Sequence, residues 1–445
     1  MTNLLSHSIE TGLNHWAITL TVLAGSVVAS CAETQPHPIP SVVELRQDKK
    51  NCWQLTRNEK LYTICGGGGQ ERMDLFAQLG GNSIRTWGLS DLEETDESGA
   101  DLMDRAHRLG LTVIAGIWVG HPRHGFDYND KRQVAAQREY IRDIVRRYKD
   151  HPALLLWGLG NEVEMQQSPD QFPQLFSELN ELARIVKEED PNHPIMTSIV
   201  GADPKKISTL AEYYPHLDIL GVNSYGAARM APKKIAASDW DGPYILSEFG
   251  PNGPWESPKT SWGVPIEPTP EQKMGMISTS YEANAESPQC IGLYAFRWGS
   301  KQEFTSTWFG LLLPTGEKTP VVDYLSRQWT GHWPKNRSPQ IESIRSTAEK
   351  SEIRAGSTHT IRVNVSDFDK DPITLSGWVM QESKDTKIGG DVEEAPPKLD
   401  HSFELARKST LLFTAPEKPG EYRAFIKAAD PHGGACVYPF PFCVK

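Results

Sequence analysis

The chain has 445 residues, thirteen of them Trp, and a formal net charge of −11. Its length exceeds one ordinary core and fits an α/β barrel of about 250 residues with one small domain attached. The acidic balance excludes a polyanion partner, so no nucleic acid is expected. Flat rings with a polar handle suit the faces of sugars, although cores take most Trp residues in any fold.

Trp16 to Val28 is apolar, too short to span a bilayer and of the length of a signal-peptide apolar region. It runs into Val28-Ala29-Ser30-Cys31, which resembles a bacterial lipobox, with Cys31 as the lipidated first residue of the mature chain. One feature departs from that pattern: no Lys or Arg precedes Arg46. Residues 1–31 are expected to be an export signal. The protein would then reside in the cell envelope (outer membrane or periplasm), touching membrane only through the lipid on Cys31. Cys52 and Cys65 flank a turn at Arg57-Asn58-Glu59-Lys60 symmetrically, which leaves a cross-strand disulfide open. Cys436 and Cys443 are a second option, leaving Cys290 free. The spacings match no zinc site.

From residue 61 to about 329 short apolar runs alternate with helical patterns, the signature of parallel βα units. Strands are expected over 61–66, 82–87, 111–119, 153–159, 195–200, 218–223, 244–248 and 291–298. Between them Leu175, Phe176, Leu179, Leu182, Ala183 and Val186 recur at helical spacing, as do Ile141, Ile144, Val145 and Tyr148. This is an α/β chain, a (β/α)8 TIM barrel over residues 32–338. A doubly wound sheet is the alternative, but it has fewer strands and a Gly-rich phosphate turn. Gly66-Gly67-Gly68-Gly69 lacks that spacing and reads as a small-residue loop giving backbone access to the cleft.

After Trp333-Pro334 the texture changes to short alternating strands, expected over 358–365, 373–380, 409–414 and 422–428. Residues 339–445 are therefore expected to form a small all-β, immunoglobulin-like sandwich. Asp367-Phe368-Asp369-Lys370-Asp371 has the acidic spacing of a calcium loop but lacks the EF-hand Gly and Glu, so a solvated turn is the preferred reading and no metal site is expected.

Strand ends of such a barrel converge on one face. They would assemble Arg85 and Trp87 from strand two, His121 after strand three, and Asn161 and Glu162 from strand four. Asn223 and Tyr225 follow strand six, Glu248 ends strand seven and Trp298 ends strand eight. A single Glu at a strand end is common. Glutamates closing strands four and seven of one barrel are what a retaining glycosidase needs, with carboxyl groups about 5–5.5 Å apart.

Trp157-Gly158-Leu159-Gly160-Asn161-Glu162 resembles the strand-four motif of glycoside hydrolase clan A, and Leu246-Ser247-Glu248-Phe249-Gly250 resembles its strand-seven motif. The resemblance covers roughly residues 61–330. It implies that Glu162 is the acid/base and Glu248 the nucleophile, that Asn161 holds the sugar 2-hydroxyl, and that Arg85, Asn223 and Tyr225 surround the nucleophile. No cofactor is implied. A compact barrel followed by one immunoglobulin-like domain is similar to the endo-β-1,3-glucanases of glycoside hydrolase family 158. The strand-four pattern also resembles family 2, whose members carry large sandwiches ahead of the barrel. Trp255, Trp262 and Trp308, on loops after strands seven and eight, would stack on successive sugars of a polysaccharide or oligosaccharide substrate, each worth on the order of 1 kcal/mol. The principal expectation is endo-cleavage of a β-glucan. The alternatives are an exo-acting β-galactosidase or β-mannosidase, a β-glucan transglycosylase, and a non-catalytic glycan-binding barrel.

Overall fold

The computed structural model describes residues 40–399 and 403–445; Cys31 and the expected export signal lie outside the described residues. The described chain enters through an antiparallel ribbon of β1 (Val43–Gln47), β2 (Trp53–Arg57) and β3 (Lys60–Leu61). Eight parallel strands then close a barrel. They are β4 (Gly66–Gly68), β5 (Ser83–Arg85), β6 (Thr112–Ile117), β7 (Leu154–Asn161), β8 (Ile195–Val200), β9 (Ile219–Asn223), β10 (Tyr244–Phe249) and β11 (Cys290–Ala295), in the order β10-β11-β4-β5-β6-β7-β8-β9.

Strand periodicity of two divides each apolar run between two cores. Val113, Ala115 and Ile117 of β6 face the helical layer, while Ile114 points into the barrel with Leu156, Met196, Ile219, Ile245 and Ile291. Val43 and Leu55 of the ribbon join that inner cluster, so the ribbon plugs the end of the barrel opposite the strand C-termini. The two expected helical stripes are buried on Lys131–Tyr148 and Phe172–Glu189. The first helix starts where Asp130 accepts a hydrogen bond from the Arg132 amide at 2.9 Å.

The first barrel strand is a correction. Residues 61–66 were expected to form it and the glycine run to follow it as a loop, whereas Gly66–Gly68 is itself the strand. Ordinary strand-formers do not fit here. A Cβ on Gly66 would lie 2.6 Å from the Leu293 carbonyl and 2.7 Å from the Tyr294 ring. A Cβ on Gly67 would lie 2.9 Å from Phe76 and 3.1 Å from Trp298. Bulky neighbours supply the packing that the strand's own side chains do not.

Beyond the barrel come β12 (Gln340–Arg345), β13 (Glu352–Ile353), β14 (Thr358–Ser366), β15 (Thr374–Gln381), β16 (Lys398–Leu399), β17 (Phe403–Arg407), β18 (Thr410–Thr414), β19 (Gly420–Ala429) and β20 (Ala435–Val444). They form a four-stranded sheet, β12-β14-β18-β17, and a five-stranded one, β13-β20-β19-β15-β16. Ile361, Val363, Phe413, Ala424, Ile426 and Phe440 share the core between the sheets. β20 escapes a sequence reading because it contains Pro439 and Pro441. The Pro441 carbonyl accepts from Lys350 N at 3.0 Å, so the strand turns its proline nitrogens away from β19 and no ladder donor is missed.

The sandwich is fastened to the barrel. Leu313, from the segment after β11, packs with Met380, Phe425, Ala435 and Val437. Arg423, 1% exposed, donates to the Pro265 carbonyl at 2.8 Å and to Glu382 at 3.1 Å. Cys52, Cys65, Cys290, Cys436 and Cys443 are all free thiols, which corrects both suggested bridges. Cys65 has left the ribbon to enter the barrel, and Cys436 and Cys443 sit seven positions apart on one strand, about 23 Å at ordinary strand rise. Asp367, Asp369 and Asp371 bring carboxylate oxygens within 4.8 Å of one another. Asp367 accepts from the Asp371 amide at 2.9 Å and Asp369 from the Arg337 amide at 2.7 Å, as in a closed polar turn. No helix among the described residues is long and apolar enough to cross a membrane.

Candidate active site

The ends of β5, β7, β9 and β10 deliver five buried polar side chains, Arg85, Asn161, Glu162, Asn223 and Glu248, to one point. Arg85, 2% exposed, donates from Nη1 to Glu248 Oε1 at 2.7 Å and from Nη2 to Asn161 Oδ1 at 2.6 Å. Asn223 Nδ2 donates to Asn161 Oδ1 and to Glu162 Oε1, both at 3.0 Å. The Ser247 hydroxyl donates to Asn223 Oδ1 at 2.8 Å, which fixes the amide so that its nitrogen faces Glu162. The two glutamates therefore belong to one hydrogen-bonded network.

Their environments differ. Glu248 accepts from Arg85, from Trp87 Nε1 at 2.9 Å and from the Tyr225 hydroxyl at 2.6 Å. Three converging donors suit an ionised carboxylate. Burial, followed by the charge on Glu248, raises the Tyr225 phenol well above its ordinary value, so it remains a donor. Glu162 receives one bond, from Asn223. Burial first and the Glu248 charge second push it well above the ordinary glutamate range. One carboxyl group is thus prepared as the anion and its neighbour as the acid.

Local backbone irregularities aim both side chains. The register of β7 against β8 shifts between Gly158 and Asn161, and that of β10 against β9 shifts between Leu246 and Glu248. Glu162 adopts a left-handed conformation with φ of 53°, a cost of roughly 1–2 kcal/mol that the buried network holds in place. Glu164 secures the following turn, accepting from the Val200 amide at 2.7 Å and from Lys206 at 2.9 Å.

The network opens into a cavity of about 690 Å³ lined by Trp87, Trp118, Glu162, Tyr225, Glu248, Trp255 and Phe296, among others. Trp255 stands 62% exposed on its rim, edge-on to Tyr225. The other aromatic expectations need correction. Trp298 is fully buried: its Nε1 donates to the Glu71 carbonyl at 2.6 Å and its ring packs on Phe76. The chain turns after β11, so Phe296 and Arg297 face the cavity instead. Trp308, 1% exposed, is a strut whose Nε1 donates to the Asn252 carbonyl at 2.8 Å. Trp262 is half-buried and does not line the cavity. His121 is buried behind the cavity wall, stacked on Trp118, and burial followed by Arg123 lowers its pKa to about 4.

Several residues of the site are not marked by the sequence pattern. Ser198 and Ser247 position Arg85 and Asn223. Glu303 adds a further carboxyl, its pKa raised by burial against the opposing charge of Lys301. Residues 387–392 line the cavity although they belong to the sandwich. Ser247 is adjacent to Glu248 in sequence and was findable. Nothing local marks residues 387–392 as barrel partners except the turn-forming Gly389-Gly390 pair.

Residues 71–253 match the family described as Glycosyl hydrolases family 2, TIM barrel domain. A β-glucuronidase from Paenibacillus borealis is 27% identical over 202 residues, which is 40% of this chain and 30% of that protein. A β-galactosidase from Leuconostoc mesenteroides subsp. mesenteroides is 27% identical over 121 residues, 27% of this chain and 11% of that protein. The chain thus matches less than a third of the length of either relative. Among solved structures, the β-D-glucuronidase of Dictyoglomus thermophilum aligns with a TM-score of 0.50 at 16% identity, covering 65% of this chain and 54% of its own. That likeness is one of fold.

Proposed function

We propose that the protein is a retaining β-glycosidase acting by double displacement, exo-acting on a neutral glycone such as a β-galactosyl or β-mannosyl unit. The observation that carries this reading is the asymmetric pair of glutamates. Glu248 holds three donors, and Glu162, held by one, is pushed toward its protonated form.

Glu248 attacks the anomeric carbon while Glu162 gives its proton to the departing glycosidic oxygen, leaving a glycosyl ester on Glu248. Esterification removes the negative charge that kept Glu162 protonated. Its pKa falls, and it takes a proton from the incoming water, which restores both groups. Asn161, oriented by Arg85 and Asn223, faces the position of the sugar 2-hydroxyl, and that bond strengthens as positive charge grows on the ring.

The neutral glycone follows from charge. Leaving out the protonated Glu162, the cavity lining contains Asp91, Glu248, Glu256, Glu303 and Asp391 against Arg297, Lys301 and Lys387, an excess that disfavours an anionic sugar. The exo reading is favoured over endo-cleavage because only one of the three tryptophans expected to line an open cleft, Trp255, stands exposed on its rim. That same ring is the observation in favour of the second reading, an endo-β-1,3-glucanase.

The test is a panel of 4-nitrophenyl β-galactoside, β-mannoside, β-glucoside and β-glucuronide, with laminarin alongside and proton NMR of the first product. The proposal expects release from a neutral monoglycoside with the β-anomer appearing first. Preference for the glucuronide would overturn the neutral-glycone reading. An early oligosaccharide ladder from laminarin would transfer the assignment to the endo reading, and an α-anomer first would contradict retention.

A further inference from the structure

The sandwich sends one segment, residues 382–397 between β15 and β16, back over the barrel mouth. Two groups of bonds pin it there. On one side Arg123, after β6, pairs with Asp391 at 2.9 Å and donates to the Ile388 carbonyl at 3.0 Å. On the other side Lys301, after β11, donates to the Gly390 carbonyl at 2.5 Å, and the Phe304 amide donates to Glu393 at 2.6 Å. The strap therefore spans the sector of the mouth above β4 and β5, which lie between β11 and β6 in the barrel. Gly389 and Gly390 both have left-handed backbones, which favour glycine, and Gly389 packs against the ends of two flexible barrel side chains. A Cβ on Gly389 would lie 2.9 Å from Arg123 Nη2 and 3.0 Å from Met165 Sδ.

Met165 lies one turn beyond Glu162, its amide donating to the Glu162 carbonyl at 3.0 Å. The Arg123 end of the strap thus approaches the proton donor, on whose side the group attached to the departing oxygen must lie. Its tip presents two apolar side chains, Ile388 at 54% and Val392 at 80% exposure, to the same cavity. Isolated exposed apolar residues need no explanation, but two on a loop pinned over a glycosidase-like pair do.

Resting on the proposed glycosidase activity, we infer that this strap forms the leaving-group subsite, with Ile388 and Val392 packing against the apolar face of the sugar or aryl group that departs. The sandwich is then part of the specificity apparatus, and Arg123 and Lys301 are positioning residues that hold the strap.

The test compares a 4-nitrophenyl β-glycoside with the β-glycosyl fluoride of the same glycone, choosing the glycone turned over fastest in the panel. Fluoride is too small to reach the strap. In Ile388→Ser/Val392→Ser the ratio of kcat/KM for the aryl glycoside to that for the fluoride should fall about tenfold, and in Arg123→Ala it should fall in the same direction. The serine pair sits on exposed positions, so its melting temperature should match wild type. A ratio unchanged in both variants, including parallel losses on both substrates, would overturn the subsite. Wild-type protein inactive on both substrates would overturn the glycosidase reading itself, and the strap's role with it.

Discussion

Arg85 and Glu248 form an ion pair at 2.7 Å with both side chains almost entirely withdrawn from water, 2% and 7% exposed. Such a pair does little for net stability, because desolvation offsets attraction, but breaking it leaves a buried charge alone. Its use is to hold a carboxylate in place beneath the cavity.

Arg85→Met should therefore destabilise the fold by about 3–5 kcal/mol, the usual cost of orphaning a buried partner. The same change made on a Glu248→Gln background should cost clearly less, since no charge is stranded. Urea unfolding of the four proteins measures the difference. Equal costs in both backgrounds would mean that the pair is not coupled.

The pH behaviour follows from Glu162, whose folded pKa is raised by burial and by Glu248. A group raised in this way stabilises the fold most at low pH and loses that contribution as pH rises through its folded value. Glu162→Gln removes the dependence, so its melting temperature should gain on wild type with increasing pH. In wild type kcat/KM should decline on the alkaline side as Glu162 ionises, at a pH above the ordinary glutamate range. Replacing Glu248 by Gln should lower the Glu162 titration midpoint, followed by carbon-13 NMR of labelled glutamate. A midpoint that stays in place would remove the electrostatic basis of the acid/base exchange.

Trp255 and Trp308 should separate cleanly. Trp255→Ala takes a 62%-exposed ring from the rim and should raise KM with little effect on unfolding. Trp308→Ala removes a ring that is 1% exposed and bonded to the Asn252 carbonyl, and should cost about 3–5 kcal/mol by leaving a cavity in the loop platform. Denaturation midpoints and steady-state kinetics on both variants decide it.

What could be read from the sequence was the periodic part. Apolar runs such as Leu154–Asn161 and Ile195–Val200 announce barrel strands because both their faces are buried, and the glutamates closing β7 and β10 stand where strand ends converge. What could not be read depends on neighbours distant in sequence. Gly66–Gly68 is a strand because Tyr294, Phe76 and Trp298 fill the space its side chains would take. Trp298 and Trp308 carry the same residue type as Trp255, yet only packing decides which ring faces solvent. The strap is legible only once the sandwich is seated on the barrel, since its anchors Arg123 and Lys301 lie more than 80 positions away.

Gly66→Ala tests the strand correction. The added methyl would meet the Leu293 carbonyl at 2.6 Å, a backbone atom that cannot swing aside. A loss of about 1–3 kcal/mol is expected, as for other overpacked sites. Unchanged thermal stability would mean that the first strand is as loose as the loop originally expected there.

The assignment of Glu248 as nucleophile and Glu162 as proton donor is tested most directly by azide rescue of Glu248→Ala with an activated β-glycoside. With the carboxylate gone, azide enters from the face Glu248 occupied while Glu162 still protonates the leaving group. The variant should be inactive alone and should yield an α-glycosyl azide when azide is added. Undiminished hydrolysis without azide, or a β-glycosyl azide as product, would contradict the account.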